Sequence, residues 1–315
     1  MTKSVLVLGG YGAVGRHLVD ELRRAGDIVV VAGRDPARAD VGIDLREPGL
    51  RSYREALDGI DVVVNTSGSE DPRLAQQAAE QGSAFVDVTA STEYVALLER
   101  TTPGGPVILS VGLAPGLTNL LAAAVHAQSP GPVDIAVLLG AGERHGAAAT
   151  EWSYRLLGRK FRVGNECIRN YTRPQAFEVP GHRRRRLFRA DFSDQHVLAR
   201  DLAVPVRTYF ALDSRIATIG LGLATWIPGA AGLPRGLHLP GSDEWTVLAR
   251  TQSGLTRWAR GRSQSRATAL VAAAAVRAAT GLAPGVHHLQ NVLTLADLPT
   301  DTGIEIGTVE PAVRR

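Results

Sequence analysis

The pattern of apolar and polar positions divides the chain in two. From residue 1 to about 128, short runs of continuous apolar residues alternate with amphipathic stretches of helical period. The runs are SVLVLG (4–9), IVVVAG (28–33), VGIDL (41–45), DVVVNTSG (61–68), AFVDVT (84–89) and PVILSVG (106–112). Apolar runs without polar alternation suit strands buried on both faces, and helices between them suit right-handed crossovers. Repeated along the chain, these units predict an α/β fold: an N-terminal Rossmann domain with a doubly wound parallel sheet, over residues 1–128.

After Pro130 the rhythm changes. DIAVLLGAG (134–142) reads as a strand, HGAAATEWSYRLLG as a helix stopped by Gly158, and FRVGNECIRN and VPVRTYFAL (204–212) as strands. Ser214 to Trp226 reads as an apolar helix halted by Pro228. EWTVLARTQ and LTRWARG flank Ser253-Gly254 as a β-hairpin, and QSRATALVAAAAVRAAT (264–280) is an alanine-rich helix ending at Gly281. These elements predict a second α+β domain, for substrate or dimerisation, over 129–284. Residues 285–315 are expected to pack back on the first domain.

Between the first strand and the first helix lies GGYGAVG. Gly10, Gly12 and Gly15 form G-x-G-x-x-G in the strand–turn–helix setting that a dinucleotide requires. In this reading Gly10 permits the tight turn, Gly12 lets a pyrophosphate approach the backbone, and Gly15 lets helix and strand pack closely. The backbone of Tyr11, Ala13 and Val14 completes the phosphate loop at the helix N-terminus. Gly9, Gly12 and Gly15 also fit the G-x-x-G-x-x-G of short-chain reductases, which need a Tyr with a Lys four residues on. Leu156 stands four residues before Lys160, so that chemistry is excluded.

The second strand ends Gly33-Arg34-Asp35. Arg34 comes where the 2′-phosphate of NADP would lie, with Arg38 one helical turn on; Asp35 could instead serve the ribose of NAD. The reading favours NADP(H) over NAD(H). Asp44 is placed at the adenine edge, and Asn65, Thr66 and Ser67 at the ribose or nicotinamide.

Composition narrows the chemistry. All but Lys3 and Lys160 of the 35 basic residues are arginine, which nearly removes lysine catalysis. Cys167 is the single cysteine, so no disulfide forms within the chain; this and the absence of an export signal point to the cytoplasm. The longest apolar run, around Ile216 to Ile227, is shorter than the ~20 residues a bilayer span needs, so stable membrane insertion is not expected. The stretch 216–233 reads as a buried or dimer-packing helix, which leaves a homodimer open, or as the wall of an apolar pocket. HRRRRLFR (182–189) reads as a solvated hairpin edge rather than a nucleic-acid site, with an anionic substrate or partner as the alternative.

GGYGAVG with the following AGRDPAR, VDVTAS (86–91) and VGLAPGLTNLLA (111–122) resemble the saccharopine dehydrogenase family, and the helix near 264–280 with APGVHH (283–288) resembles that family's closing segment. Ala114 stands where the family's loop often carries an acidic residue, before Pro115-Gly116. The resemblance therefore implies a reductase of this fold using NADP(H) on a C=N or C=C bond, rather than an enzyme for saccharopine itself.

The nicotinamide is expected near Ser67, Thr89, Gly112 and Pro115, with Thr89, Pro115, Gly116 and Asn119 toward substrate. Asn119 could equally cap its helix, and Asp87 is expected to anchor a strand end. Reduction of an imine needs a protonated nitrogen, and reduction of an enone or carbonyl needs an acid nearby. His145, in the loop GERHG, is the first candidate for that acid, followed by Tyr154 and Glu151. No metal site is expected. The function expected is NADPH-dependent reduction of a small specialised metabolite, an imine in the saccharopine or opine manner. Two alternatives stand beside it: a C=C or C=O reductase of an apolar polyketide or lipid-like intermediate, and a non-catalytic NADP(H) sensor.

Overall fold

The first apolar run forms strand β1, Ser4–Leu8, in which Val5, Leu6 and Val7 are fully buried. Each such side chain contributes about 1.5–3 kcal/mol when removed from water. In the computed structural model, which describes residues 2–142, 155–230, 241–300 and 302–311, every predicted run of the amino-terminal half becomes a strand. Helix α1, Gly15–Arg24, buries Leu18, Val19 and Leu22 at helical spacing. There follow β2 (Ile28–Gly33), β3 (Val41–Gly42), α2 (Arg51–Glu55), β4 (Val62–Asn65), α3 (Arg73–Glu80), β5 (Ala84–Asp87), α4 (Thr92–Leu98) and β6 (Pro106–Leu109). VGIDL pairs with β2 only through Val41 and Gly42. Beyond them Asp44 turns the chain by accepting a hydrogen bond from the Arg46 amide at 3.1 Å.

The next elements are α5 (Thr118–Gln128), β7 (Val133–Leu139), β8 (Lys160–Val163), β9 (Glu166–Arg169), β10 (Thr172–Phe177), β11 (Arg185–Arg189), α6 (Ser193–Asp201), β12 (Val206–Leu212), α7 (Arg215–Ala224), β13 (Glu244–Thr251) and β14 (Thr256–Arg262). The hairpin across Ser253-Gly254 is β13–β14. β7 runs parallel to β12 and antiparallel to β13, so this sheet is mixed.

The alanine-rich helix α8 spans Gln264–Ala279, and its small buried side chains include Ala267, Ala269 and Ala272. The ammonium of Lys3 donates to the carbonyls of Val276 and Arg277 at 3.0 and 2.8 Å, satisfying the helix C-terminus. Strand β15, Gly285–His288, then pairs in parallel with β6. The first sheet thus has seven strands in the order β15-β6-β5-β4-β1-β2-β3, and every pairing in it is parallel. The last strand, β16 (Glu305–Val309), pairs with β14, giving a second sheet ordered β10-β11-β12-β7-β13-β14-β16. The chain divides into two units: Met1–Gly116 with Ser265–Pro299, and Leu117–Gln264 with Thr300–Arg315. The fold is α/β: one unit holds a Rossmann-like parallel sheet and the other a mixed sheet. Among the described residues no helix is long and apolar enough to cross a membrane, and no cluster of side chains would hold a metal ion.

Candidate functional site

The carboxyl ends of parallel strands in such a sheet are where ligands bind. At β1 the chain leaves through the glycine loop. The left-handed residue is Gly9 (φ +76°), not Gly10, and its amide donates to Ala32 O at 2.9 Å. A Cβ on Gly9 would lie 2.8 Å from Ser67 Cα. Gly10 is confined differently, with Val31 Cγ1 3.0 Å from where its Cβ would stand. On Gly15 a Cβ would lie 2.3 Å from Gly9 O, so close packing of helix on loop demands glycine. Gly12 is the open position: its added Cβ would meet the loop's own Gly9 carbonyl at 3.0 Å and no other atom within 4 Å beyond its chain neighbours. The amides of Ala13 and Val14, just ahead of α1, donate to no protein atom among the described residues. An uncovered glycine beside free amides at a helix N-terminus is a cradle for an anionic group.

The adenosine end of such a site lies at β2 and β3. Here the loop's Tyr11 acts as a latch, a role its sequence spacing does not reveal. Its hydroxyl accepts from the amides of Arg34 and Asp35 at 3.0 and 3.1 Å. Its ring lies so close over Gly33 that a Cβ there would be 2.3 Å from Cε1. The Arg38 guanidinium stacks 4.4 Å from the ring centroid and donates to Tyr11 O at 3.2 Å. Asp35 spends one carboxylate oxygen on the Ala37 amide at 3.0 Å. Arg34 and Asp44 line an open groove of about 650 Å³ with Ile43, Arg46 and Ser52. Hydrogen bonds from Arg46 hold the Asp44 carboxyl below its ordinary range, and the Arg34 charge adds to this.

At β4 and β5 the polar side chains are committed to one another. Asn65, fully buried, donates to Asp87 Oδ2 and Ser69 O, both at 2.9 Å, and accepts from Ser67 Oγ at 2.7 Å. Asp87 also accepts from the Thr89 amide at 2.7 Å and from the Tyr94 hydroxyl at 3.0 Å. Burial pushes the Asp87 carboxyl above its ordinary range, against the pull of these donors, and burial likewise raises the Tyr94 phenol. Thr66 Oγ1 donates to Leu8 O at 2.7 Å. Thr89 Oγ1 lies near enough to Asp87 to draw its carboxyl down, but in no hydrogen-bonding geometry; it is buried without a partner among the described residues.

The end of β6 carries a second buried chain that the sequence does not announce. Ser110, left-handed at φ +59°, lies with its Oγ 3.0 Å from His288 Nδ1, and His288 Nε2 lies 2.7 Å from Glu99 Oε1. This joins β6, β15 and the end of α4. The following loop holds Gly112, a cis Ala114–Pro115 peptide and Gly116 at φ +135°. Thr268 of α8 accepts there from the Leu113 amide at 3.2 Å. Of the other expected residues, Asn119 lies inside α5, fully buried rather than at a helix cap. Next to it, Thr118 Oγ1 donates to the buried Asp194 at 2.9 Å. His145, Glu151 and Tyr154 lie outside the described residues.

Residues 5–99 match the NAD dependent epimerase/dehydratase family. The match covers the glycine loop, Arg34, Asp44, Asn65 and Asp87, and is that of a Rossmann unit of the NAD(P)-binding kind. No curated protein matches the chain. Among solved structures, the chain is similar in fold to an amine dehydrogenase from Mycobacterium smegmatis. The identity is 14%, the TM-score 0.50, and the alignment covers 94% of this chain and 97% of that one. A variant of meso-DAPDH with DAP, from Clostridium tetani, aligns at 14% identity and a TM-score of 0.48, over 95% of this chain and 97% of that one.

Proposed function

We propose that the protein is an NAD(P)-dependent oxidoreductase that takes NADPH and reduces a C=N bond in a small molecule. One observation carries the cofactor reading: Gly12 is uncovered beside the free amides of Ala13 and Val14 at the start of α1. Those amides would hold the pyrophosphate, the groove at Arg34 and Asp44 the adenosine, and the unpartnered Thr89 hydroxyl the far end. Bound NADPH supplies a hydride. The protein's own part is to hold the acceptor carbon within reach of it and to keep water away. An iminium arrives already protonated and asks no acid of the protein, which makes it the acceptor best matched to this edge. The fold shared with an amine dehydrogenase is a reason to test imines first. For enones or carbonyls the acid would have to come from His145, Tyr154 or Glu151.

The preference for NADPH rests on Arg34, which faces the groove while Arg38 is taken up by Tyr11 and Asp35 by its own turn. Replacing Arg34 with Asp should weaken NADPH binding about tenfold or more while sparing NADH, since a charge-assisted phosphate contact would be lost. Calorimetric titration of both nucleotides checks this, and equal loss for the two would remove Arg34 from the 2′-phosphate. No binding of either nucleotide to the unaltered protein would end the oxidoreductase reading.

A further inference from the structure

Helix α7 and the turn after it leave a row of large apolar side chains in water. Ile216 is 84% exposed, Ile219 57%, Leu223 65%, Trp226 63% and Ile227 58%. Their spacing is that of one face of a helix. The opposite face is the one that packs. Ala217, Thr218 and Thr225 are buried there, and Thr218 Oγ1 donates to the carbonyls of Leu212 and Ser214 at 3.0 Å. Gly222 sits so close to β11 that a Cβ would come within 3.1 Å of the Phe188 ring. A contiguous apolar strip left uncovered marks a surface that meets something.

The neighbouring charge says what. Residues two apart on a strand share a face, so Arg186 points to the same side of the sheet as Phe188, and Arg184 comes just before the strand. Arg184, Arg186 and Arg215 are exposed. Arg185 ties the two elements together by donating to the carbonyls of Leu212 and Asp213. At the other end of the strip, Arg169 stacks 4.7 Å from the Trp226 ring. Among the described residues, the acidic side chain paired with this run is Glu178, 3.7 Å from Arg184. Large aliphatic side chains, a tryptophan at the end and arginines alongside are the composition of a helix that lies flat in a headgroup layer. A second copy docked by two-fold symmetry would bring the same arginines toward each other.

We propose that α7 docks on an anionic lipid surface, its exposed strip set among the upper acyl chains and Arg184, Arg186 and Arg215 against lipid phosphates. Contact is peripheral, and it is independent of the catalytic reading above.

The test is sedimentation of the full chain with vesicles of phosphatidylcholine alone and with about 30% phosphatidylglycerol, enough to give a negative surface potential. The protein should sediment with the anionic vesicles and much less with the neutral ones. Ile219→Asp should weaken binding about tenfold or more, because a buried aliphatic side chain is lost. The pair Arg184→Glu and Arg186→Glu should weaken it by about 30-fold. All these side chains are exposed, so thermal unfolding of the variants should match the unaltered protein. Failure to sediment with anionic vesicles, or unchanged sedimentation of both variants, would overturn the proposal. So would a dimer in the ultracentrifuge that Ile219→Asp dissolves without any vesicle binding, which would assign the strip to a second copy.

Discussion

At the carboxyl ends of β1 and β2, backbone amides stand unspent and glycines keep side chains out of the way. At the carboxyl ends of β4, β5 and β6, nearly every polar group is already bonded to another. Gly12, Ala13 and Val14 belong to the first half, and Asn65, Asp87, Tyr94, Ser110 and His288 to the second. Both halves sit on one edge of one sheet, so the difference is not topological. It is a difference in commitment: a bonded polar frame on one side, and backbone donors without a protein acceptor among the described residues on the other. Buried polar groups without partners are costly, which is why most groups of the frame bond to one another.

Three changes would break or sharpen that contrast. The largest effect is expected in the frame. Asp87→Ala removes the acceptor of three donors at a fully buried point and should lower stability by about 3 kcal/mol or more, read from urea unfolding. A loss below about 1 kcal/mol would show that the frame holds little. Next, Gly12→Val fills the open position. NADPH affinity should fall about 100-fold or more, while stability stays within about 1 kcal/mol, because the added Cβ meets only the loop's own Gly9 carbonyl and no core side chain. If affinity survives, the pyrophosphate is held elsewhere. The smallest effect is in pH dependence. Burial raises the Asp87 carboxyl in the folded state, so the folded protein binds that proton more tightly than the unfolded chain does. Its contribution is therefore fully present below the unfolded pKa and is lost as pH rises through the folded one. Melting temperatures of the unaltered protein and Asp87→Asn, compared from about pH 7 to about pH 4, should shift in favour of the former as pH falls. A gap that does not change with pH would contradict this.

The contrast also separates what the residues disclosed from what they did not. Continuous apolar runs identified six strands of the first sheet and the glycine loop between β1 and α1, because burial on both faces leaves a period-free signature. The hairpin β13–β14 and the helix α8 were legible for similar local reasons. β15 was not: GVHH is too short and too polar to read as a strand, and only pairing with β6 makes it one. VGIDL was read too long because an aspartate turn cannot be told from a strand end by hydropathy. The glycine loop lies between β1 and α1 as expected, and the positive φ falls at Gly9, which spacing alone does not distinguish from its neighbour Gly10. Tyr11 over Gly33, and Glu99 with His288 and Ser110, join residues far apart in sequence. No window of the chain contains both ends of either contact.

One feature of the first sheet bears on how the chain is made. Its seventh strand and the helix before it follow residues 117–264 of the second unit in the chain, so the outer edge of β6 has no neighbour until residues 285–288 leave the ribosome. Until then that edge stays open to pairing with other chains.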